Sequence, residues 1–578
     1  MDYLHWLKAH PAMDPPSEEA LAAEAHQAGA RLRLAARTGD LGLLIDHLSQ
    51  AYGQIESDCQ KLILASYYDP TDRQARESFQ ALSDHALAYL TEYASLFSAL
   101  SDLSRARRGA QALDPGFLAA AKSVGRTYDK ALLPLLKEEK AAIETYMQGL
   151  DDMFMSKLSP ARVKGEARRL LQSMSRDRRK RAYQSLEDRM LGFKSQLEVA
   201  FTRLHEVRRT LGQEGGFSSF YDYALARGGF TEAMRARIKD FRQLVQKHLL
   251  TLSPPIMTMQ WERLGIQDPR PWDLMYPANF GLPTLDPQAF PLDEPYIKAL
   301  SLIFPDGLAL FERMQEEGGL TLGVTGEPGL DSVFSPYCTG AGMSGVLAAN
   351  FTDLNRSFLV LSQIPQESLG SLLFSETGFL LLDQSDQKTR WPFPPPAERD
   401  LVHQLARYSM VFLSQRAWHL FYGSKTPYAR QYDLSQLALD IPLYCALDEM
   451  EEFLCRARVT NLAVFRHAWN EIANRYGLAG TWSGHPGLVP VEDLWLYSPL
   501  LWARPLTGIF QTLAAVSVLA TFPLGRRHQA LENNFRRLLD LGGQGQPLES
   551  LIQAGYPSPF QEETVIKASF AIMDFLAL

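Results

Sequence analysis

The sequence has few cysteines, no positive charge excess and no intact metal-binding histidine pair. Cys59, Cys338, Cys445 and Cys455 are the only four cysteines in 578 residues and form no C-x-x-C spacing. That excludes a disulfide framework and predicts a reducing compartment. With 58 Lys+Arg against 66 Asp+Glu the formal charge is -8, which argues against a nucleic-acid partner and an anionic membrane surface. Met1 to Trp6 carries an early acid and lacks the basic-then-apolar order of a secretory signal, so a cytoplasmic location is expected. One run, Pro505 to Leu524, is free of charge and about as long as a membrane-spanning helix. It contains Gln511, Ser517, three threonines and two prolines between Arg504 and Arg526, and predicts a buried core helix. None of the twelve histidines stands four residues from another.

At 64.9 kDa, with 46% hydrophobic and 21% charged residues, the chain is long enough for a large core and more than one lobe. From about residue 17 to 250 apolar residues recur at helical spacing, with breaks near Asp69-Pro70, Asp114-Pro115 and Ser159-Pro160. Arg162 to Arg181 is strongly basic, Arg176, Arg178, Arg179, Lys180 and Arg181 being nearly adjacent. It lacks interleaved aromatics and is followed by Glu187 and Asp188, which predicts a solvated helix face rather than a phosphate site. Prolines crowd the chain from Pro254 to Pro305 and mark a crossing between lobes. Val346–Phe351 and Ser357–Leu361 flank a polar turn and predict a hairpin. After Pro396 helical texture returns, interrupted by a glycine-rich stretch from Gly477 to Pro490. The expected division is a helical lobe over 1–250, a loop-rich crossing over 251–345, and a second lobe over 346–578.

The chain is organised around Leu372 to Leu380, which contains Ser375-Glu376-Thr377-Gly378-Phe379. An H-E-x-x-H helix puts two histidines on one face to hold zinc, with the glutamate between them activating water. Here the glutamate is kept, and serine and phenylalanine occupy the histidine positions. Other segments fall into the order of one family: Glu166 to Leu171, Arg178 to Tyr183, Phe217 to Leu225, Pro271-Trp272-Asp273-Leu274, and Gly542 to Gly555. Over most of its length the chain resembles the oligoendopeptidase F and thimet oligopeptidase family of zinc metallopeptidases.

The resemblance implies a mainly α, two-lobed zincin-like oligopeptidase architecture, with a deep central channel and a small β-sheet beside the active-site helix. It also implies a third zinc ligand, a glutamate in a C-E-x-x-S-M-S-M-E-F pattern. The matching stretch is His403 to Phe412, which puts Gln404 at the ligand position. The family's oxyanion-steadying histidine and tyrosine would fall near Leu500 and within Pro505 to Gly508, where neither is present. Ser375, Phe379 and Gln404 are therefore degenerate ligand positions, and no metal is expected as cofactor. Without zinc the attacking water keeps a pKa of about 15.7 instead of about 7, so Glu376, the retained general-base position, is not expected to hydrolyse peptides alone.

The apolar run Phe379 to Leu382 predicts that side chains fill the former metal cavity. If buried, Glu376 then needs a hydrogen-bond donor or a raised pKa. The first reading is an inactive peptidase homologue that binds a peptide or a protein partner, an active relative among the candidates. The resemblance places an extended peptide along an edge strand at Phe358, Val360 and Ser362. Two readings stay open beside it: a metallopeptidase with relocated ligands, His403 and His419 being candidates, and a structural or assembly protein. An oligomer is compatible with all three.

Overall fold

A computed structural model describes residues 10–38, 41–68, 72–106, 115–154, 173, 175–263, 265–273, 291–322, 346–351, 354, 356–361, 369–385, 391–478, 491–498, 501–502, 504–522, 528–542 and 547–577. The helices of the first half are α1 Glu18–Thr38, α2 Leu41–Tyr68, α3 Arg73–Ala106, α4 Pro115–Thr127, α5 Leu133–Phe154, α6 Arg176–Glu214, α7 Phe220–Gly228, α8 Glu232–His248, α9 Ser253–Arg263, α10 Asp293–Ile303 and α11 Leu308–Glu316. Three strands follow, β1 Leu320–Leu322, β2 Val346–Phe351 and β3 Arg356–Leu361. The rest is helical: α12 Leu369–Ser385, α13 Arg399–Ser414, α14 His419–Tyr422, α15 Thr426–Arg456, α16 Leu462–Arg475, α17 Ile509–Thr521, α18 Gln529–Leu541, α19 Pro547–Gln553 and α20 Glu562–Leu576. The mainly α reading holds, and so does the hairpin that leads into the organising helix.

Two apolar cores meet at the sheet. Leu347, Ala349, Phe351, Phe358 and Val360 join the core of α1 to α4, whereas Ala348, Leu359 and Leu361 join the larger core built by the remaining helices. Alternate residues of a strand point to opposite faces, so one short hairpin serves both cores. The strand order is β1-β3-β2, with β3 parallel to β1 and antiparallel to β2. This corrects the expectation of an edge strand. β3 is central, its Leu359 to Leu361 pair with strands on both sides, and Phe358 and Val360 are fully buried. Among the described residues no backbone edge is left along Leu359 to Leu361 for an added peptide, and Ser362 lies outside the described residues.

The charge-free run forms α17, buried on nearly every side. A helix that is apolar all round sits inside a core. Among the described residues no helix is long and apolar enough to cross a membrane.

The basic segment opens α6, where Ser175 caps the helix by accepting from the Arg178 N–H. Arg178 and Arg181 are exposed as expected, but Arg179 is buried. Arg176 and Arg179 donate to the two oxygens of Asp273 at 2.8 and 2.7 Å, and Lys180 lies 5.4 Å from the Trp272 ring centre. One face of the segment therefore staples the Pro271-Trp272-Asp273 turn, and only the other face is solvated.

Buried ion pairs tie the helices together, those of Asp448 joining the two halves of the chain. Arg208 and Arg227 hold Glu139 at 2.8 and 2.6 Å, and Arg235 and Arg242 both reach Asp448 at 2.9 Å. Burial alone would raise the Glu139 pKa, but the two guanidiniums overcome it and hold the group at about 2.

Candidate functional site

The site is built where α12 crosses α13. Gly378 makes the close approach possible: a Cβ there would collide with the Ala406 carbonyl and come within 2.9 Å of the Met410 Cβ. Directly after Gly378 the side chains of α12 become wholly apolar, Phe379 to Leu382 all being buried. Thr377 is held by Tyr296, whose hydroxyl lies 2.8 Å from its Oγ1.

Glu376 is 3% exposed, and its carboxylate is answered by a residue that the sequence did not flag, Arg407 of α13. Arg407 Nη1 donates to Glu376 Oε1, while Oε2 has no partner among the described residues. The same guanidinium lies 4.7 Å from the centre of the Phe379 ring, within cation–π reach. On its edge that ring meets His403, with centroids 5.5 Å apart and planes at 75°. Burial lowers the Arg407 pKa to about 10, still well above neutrality, so the charge stays in place opposite the carboxylate. The buried acid thus has its donor, as the sequence required.

The other expected residues surround this pair. Ser375 and Gln404 are half-buried, and neither side chain makes a hydrogen bond to a described residue. His403 stands 4.0 Å from Asp400, which is paired in turn with Arg504 at 3.0 Å. His419 is exposed, with its Nδ1 3.2 Å from the Arg416 carbonyl oxygen. Among the described residues no three His, Cys, Asp or Glu side chains converge as a metal site would require. Leu500 lies outside the described residues. Leu506 occupies the left-handed region at φ 66°.

The zinc that the resemblance implies does not fit these residues. Serine, phenylalanine and glutamine supply neither thiolate, imidazole nor carboxylate, and a guanidinium sits against the one remaining acid. Among the described residues the positive charge beside Glu376 is the Arg407 guanidinium. The signal lay in the register that the resemblance implies, which has serine where this chain has Arg407.

A second set of polar groups faces the α12–α13 crossing from α15. Asp433 shares a hydrogen bond with Ser371 of α12, and Asp433, Asp440 and Tyr444 all act on Tyr408 of α13. Burial pushes Asp433 up to about 6, with Ser371 opposing, and burial together with Asp433 does the same to Asp440. Among the described residues neither aspartate has an ion pair. Nothing in the sequence singled them out, because α15 reads as an ordinary long helix.

Solved peptidase structures share this arrangement of elements. PZ peptidase A, solved with inhibitor 2, matches with a TM-score of 0.83 at 19% identity, over 98% of this chain and 99% of that one. The chain has the oligoendopeptidase F fold. A protein of Bacillus anthracis str. Ames designated an oligoendopeptidase F gives a TM-score of 0.80 at 17% identity, covering 98% of both chains. Oligoendopeptidase F from Enterococcus faecium gives 0.59 at 14% identity, over 97% and 96%. No family model and no curated protein sequence matches the chain. The two-lobed oligoendopeptidase F architecture is therefore common to proteins with little sequence in common, and the site chemistry rests on this chain's own residues.

Proposed function

We propose that this chain is a peptidase homologue that has given up hydrolysis and kept binding, its ligand being a peptide or a partner protein. The observation that carries the reading is the Glu376–Arg407–Phe379 stack. A general base must reach the proton it abstracts from water, whereas Glu376 is buried and engaged by a cation. Hydrolysis at this position would also need a metal-activated water, and the side chains around it do not supply a metal's ligands.

Binding rests on groups that the substitutions leave intact. Ser371, Tyr408, Asp433, Asp440 and Tyr444 present hydroxyls and carboxylates beside the old reaction centre. Among the described residues β2 has no partner beyond β3, so β2 rather than β3 is the strand along which a peptide would pair. A cytoplasmic location belongs to the same reading, supported by Cys59, Cys445 and Cys455 being free and buried.

The test is metal content by mass spectrometry on protein purified without chelator, run beside cleavage of a mixed peptide library and identification of retained peptides or proteins. Zinc well below one equivalent, no cleavage and a retained ligand is the expected result. One tightly held zinc with chelator-sensitive cleavage would overturn the proposal.

A further inference from the structure

A cavity of about 540 Å³ lies where α11, the end of α12 and α18 meet. Its volume is that of a ligand site, for which about 300–1,000 Å³ is usual. Neither Glu376 nor its neighbours Phe379, His403 and Arg407 line it. Part of the wall is apolar: Phe304, Leu310 and Leu381 are buried, and Leu539 is half-buried. Gly307 seats the turn Pro305–Gly307 directly on α12, since a Cβ there would come within 2.7 Å of Leu381 Cδ2 and 2.9 Å of Phe304 Cδ1.

The charged residues in the wall are Asp306, Arg313, Arg536 and Asp540. Arg536 is already engaged: it pairs with Asp306 and, at 3.0 Å, with Glu532, and its guanidinium lies 4.9 Å from the Phe304 ring centre. That leaves Arg313 of α11, half-buried, and Asp540 of α18, exposed. Among the described residues neither side chain has an ion pair or a hydrogen bond, with the other or with any third group. The half-buried Gln384 carboxamide of α12 is likewise without a described partner. A guanidinium and a carboxylate that share a cavity without pairing are complementary to a molecule that carries both charges. Arginine's planar fork fits a carboxylate, and an aspartate accepts from an ammonium group. A dianion would meet Asp306 and Asp540 as like charges, and a polyamine would meet Arg313 and Arg536.

We propose that this cavity binds an apolar zwitterion, a free amino acid or a dipeptide with an aliphatic side chain. Arg313 takes the carboxylate, Asp540 takes the ammonium group, and the wall of Phe304, Leu310 and Leu381 takes the side chain. The proposal stands apart from the fate of hydrolysis at Glu376, because no residue of that site takes part.

Calorimetric titration of the full chain at neutral pH with leucine and with leucyl-leucine tests the site. At least one of them should bind, and the tighter of the two identifies the source as free amino acid or peptide. No binding of either at millimolar concentration would overturn the proposal. Arg313→Gln should weaken the binding about tenfold, as the loss of a charge-assisted hydrogen bond does. Asp540→Asn, at a more exposed position, should weaken it about threefold. N-acetyl-leucine, which has no ammonium group, should bind more weakly than leucine, respond to Arg313→Gln and ignore Asp540→Asn. Leucinamide, which has no carboxylate, should show the reverse. Undiminished binding in both variants would place the ligand elsewhere on the chain and overturn the proposal. Should a variant not fold, wild-type protein that binds N-acetyl-leucine and leucinamide as tightly as leucine would overturn it equally.

Discussion

Arg407 donates to Glu376 across the α12–α13 contact, joining two residues 31 positions apart in the sequence. Removing one member of a buried ion pair strands the other charge, at a cost of about 3–5 kcal/mol. Arg407→Met should therefore lower stability by that amount in urea unfolding. Replacing both, Glu376→Gln with Arg407→Met, should recover most of the loss, because two neutral groups of similar volume leave nothing unpaired. Equal stability of the single and double variants would mean that the pair does not form.

The same cation predicts how the metal site could be rebuilt. Ser375→His, Phe379→His and Gln404→Glu restore a ligand set, but leave Arg407 beside it. Adding Arg407→Ser should strengthen zinc binding by at least about tenfold, or about 1.4 kcal/mol, measured by competition with a chromophoric chelator. If the triple variant binds zinc as tightly as the quadruple one, the guanidinium does not occupy the metal's place.

Gly378 lies against the backbone of α13, so its replacement reads out the helix contact directly. Gly378→Ala gains helix propensity but drives a methyl group into the Ala406 carbonyl and against Met410. Overpacking of this kind costs about 1–3 kcal/mol. Thermal unfolding should show a lower midpoint, and any rise would mean that the helices have room to spare.

Much of this was legible because it depends on local pattern. The apolar run of α12, the alternating strands and the charge-free α17 are each dictated by which residues must leave water. What the pattern could not show is which side chain on another element answers a given one. Arg407 reads as one more charge on α13 until Glu376 is placed opposite it. Phe358 and Val360 read as an exposed edge because the sequence does not reveal that β1, 36 positions upstream of β3, returns to pair with its far side. Arg179 likewise looked solvated, since its partner Asp273 lies 94 residues away.

That last pair can be tested by itself. Asp273 is fully buried and takes Arg176 and Arg179 on its two oxygens, so Asp273→Asn should cost about 3 kcal/mol or more in urea unfolding. Arg178→Ala, one residue away on the exposed face of α6, should change stability by less than about 0.5 kcal/mol. Equal effects would return the whole segment to the solvated face.

Asp433 and Asp440 predict a pH dependence of the opposite sense to that of Glu139. A carboxyl group whose folded pKa is raised contributes stability that is fully present below its ordinary value and is lost as pH rises through the folded value. For both aspartates the window runs from about 4 to about 6. Glu139, held at about 2, instead contributes stability above the ordinary carboxylate range that is lost as pH falls through 2. Both aspartates are only half-buried, and solvent screening reduces their combined effect to an order of 1–2 kcal/mol. Asp440→Asn fixes one of them in a neutral form and relieves its neighbour of a like charge. Unfolding midpoints measured at pH 4.5 and pH 7 should therefore differ less in the variant than in the wild type. An unchanged difference would mean that the two acids are hydrated well enough to ionise at their ordinary values, and the α15 wall would then be open to water along its length.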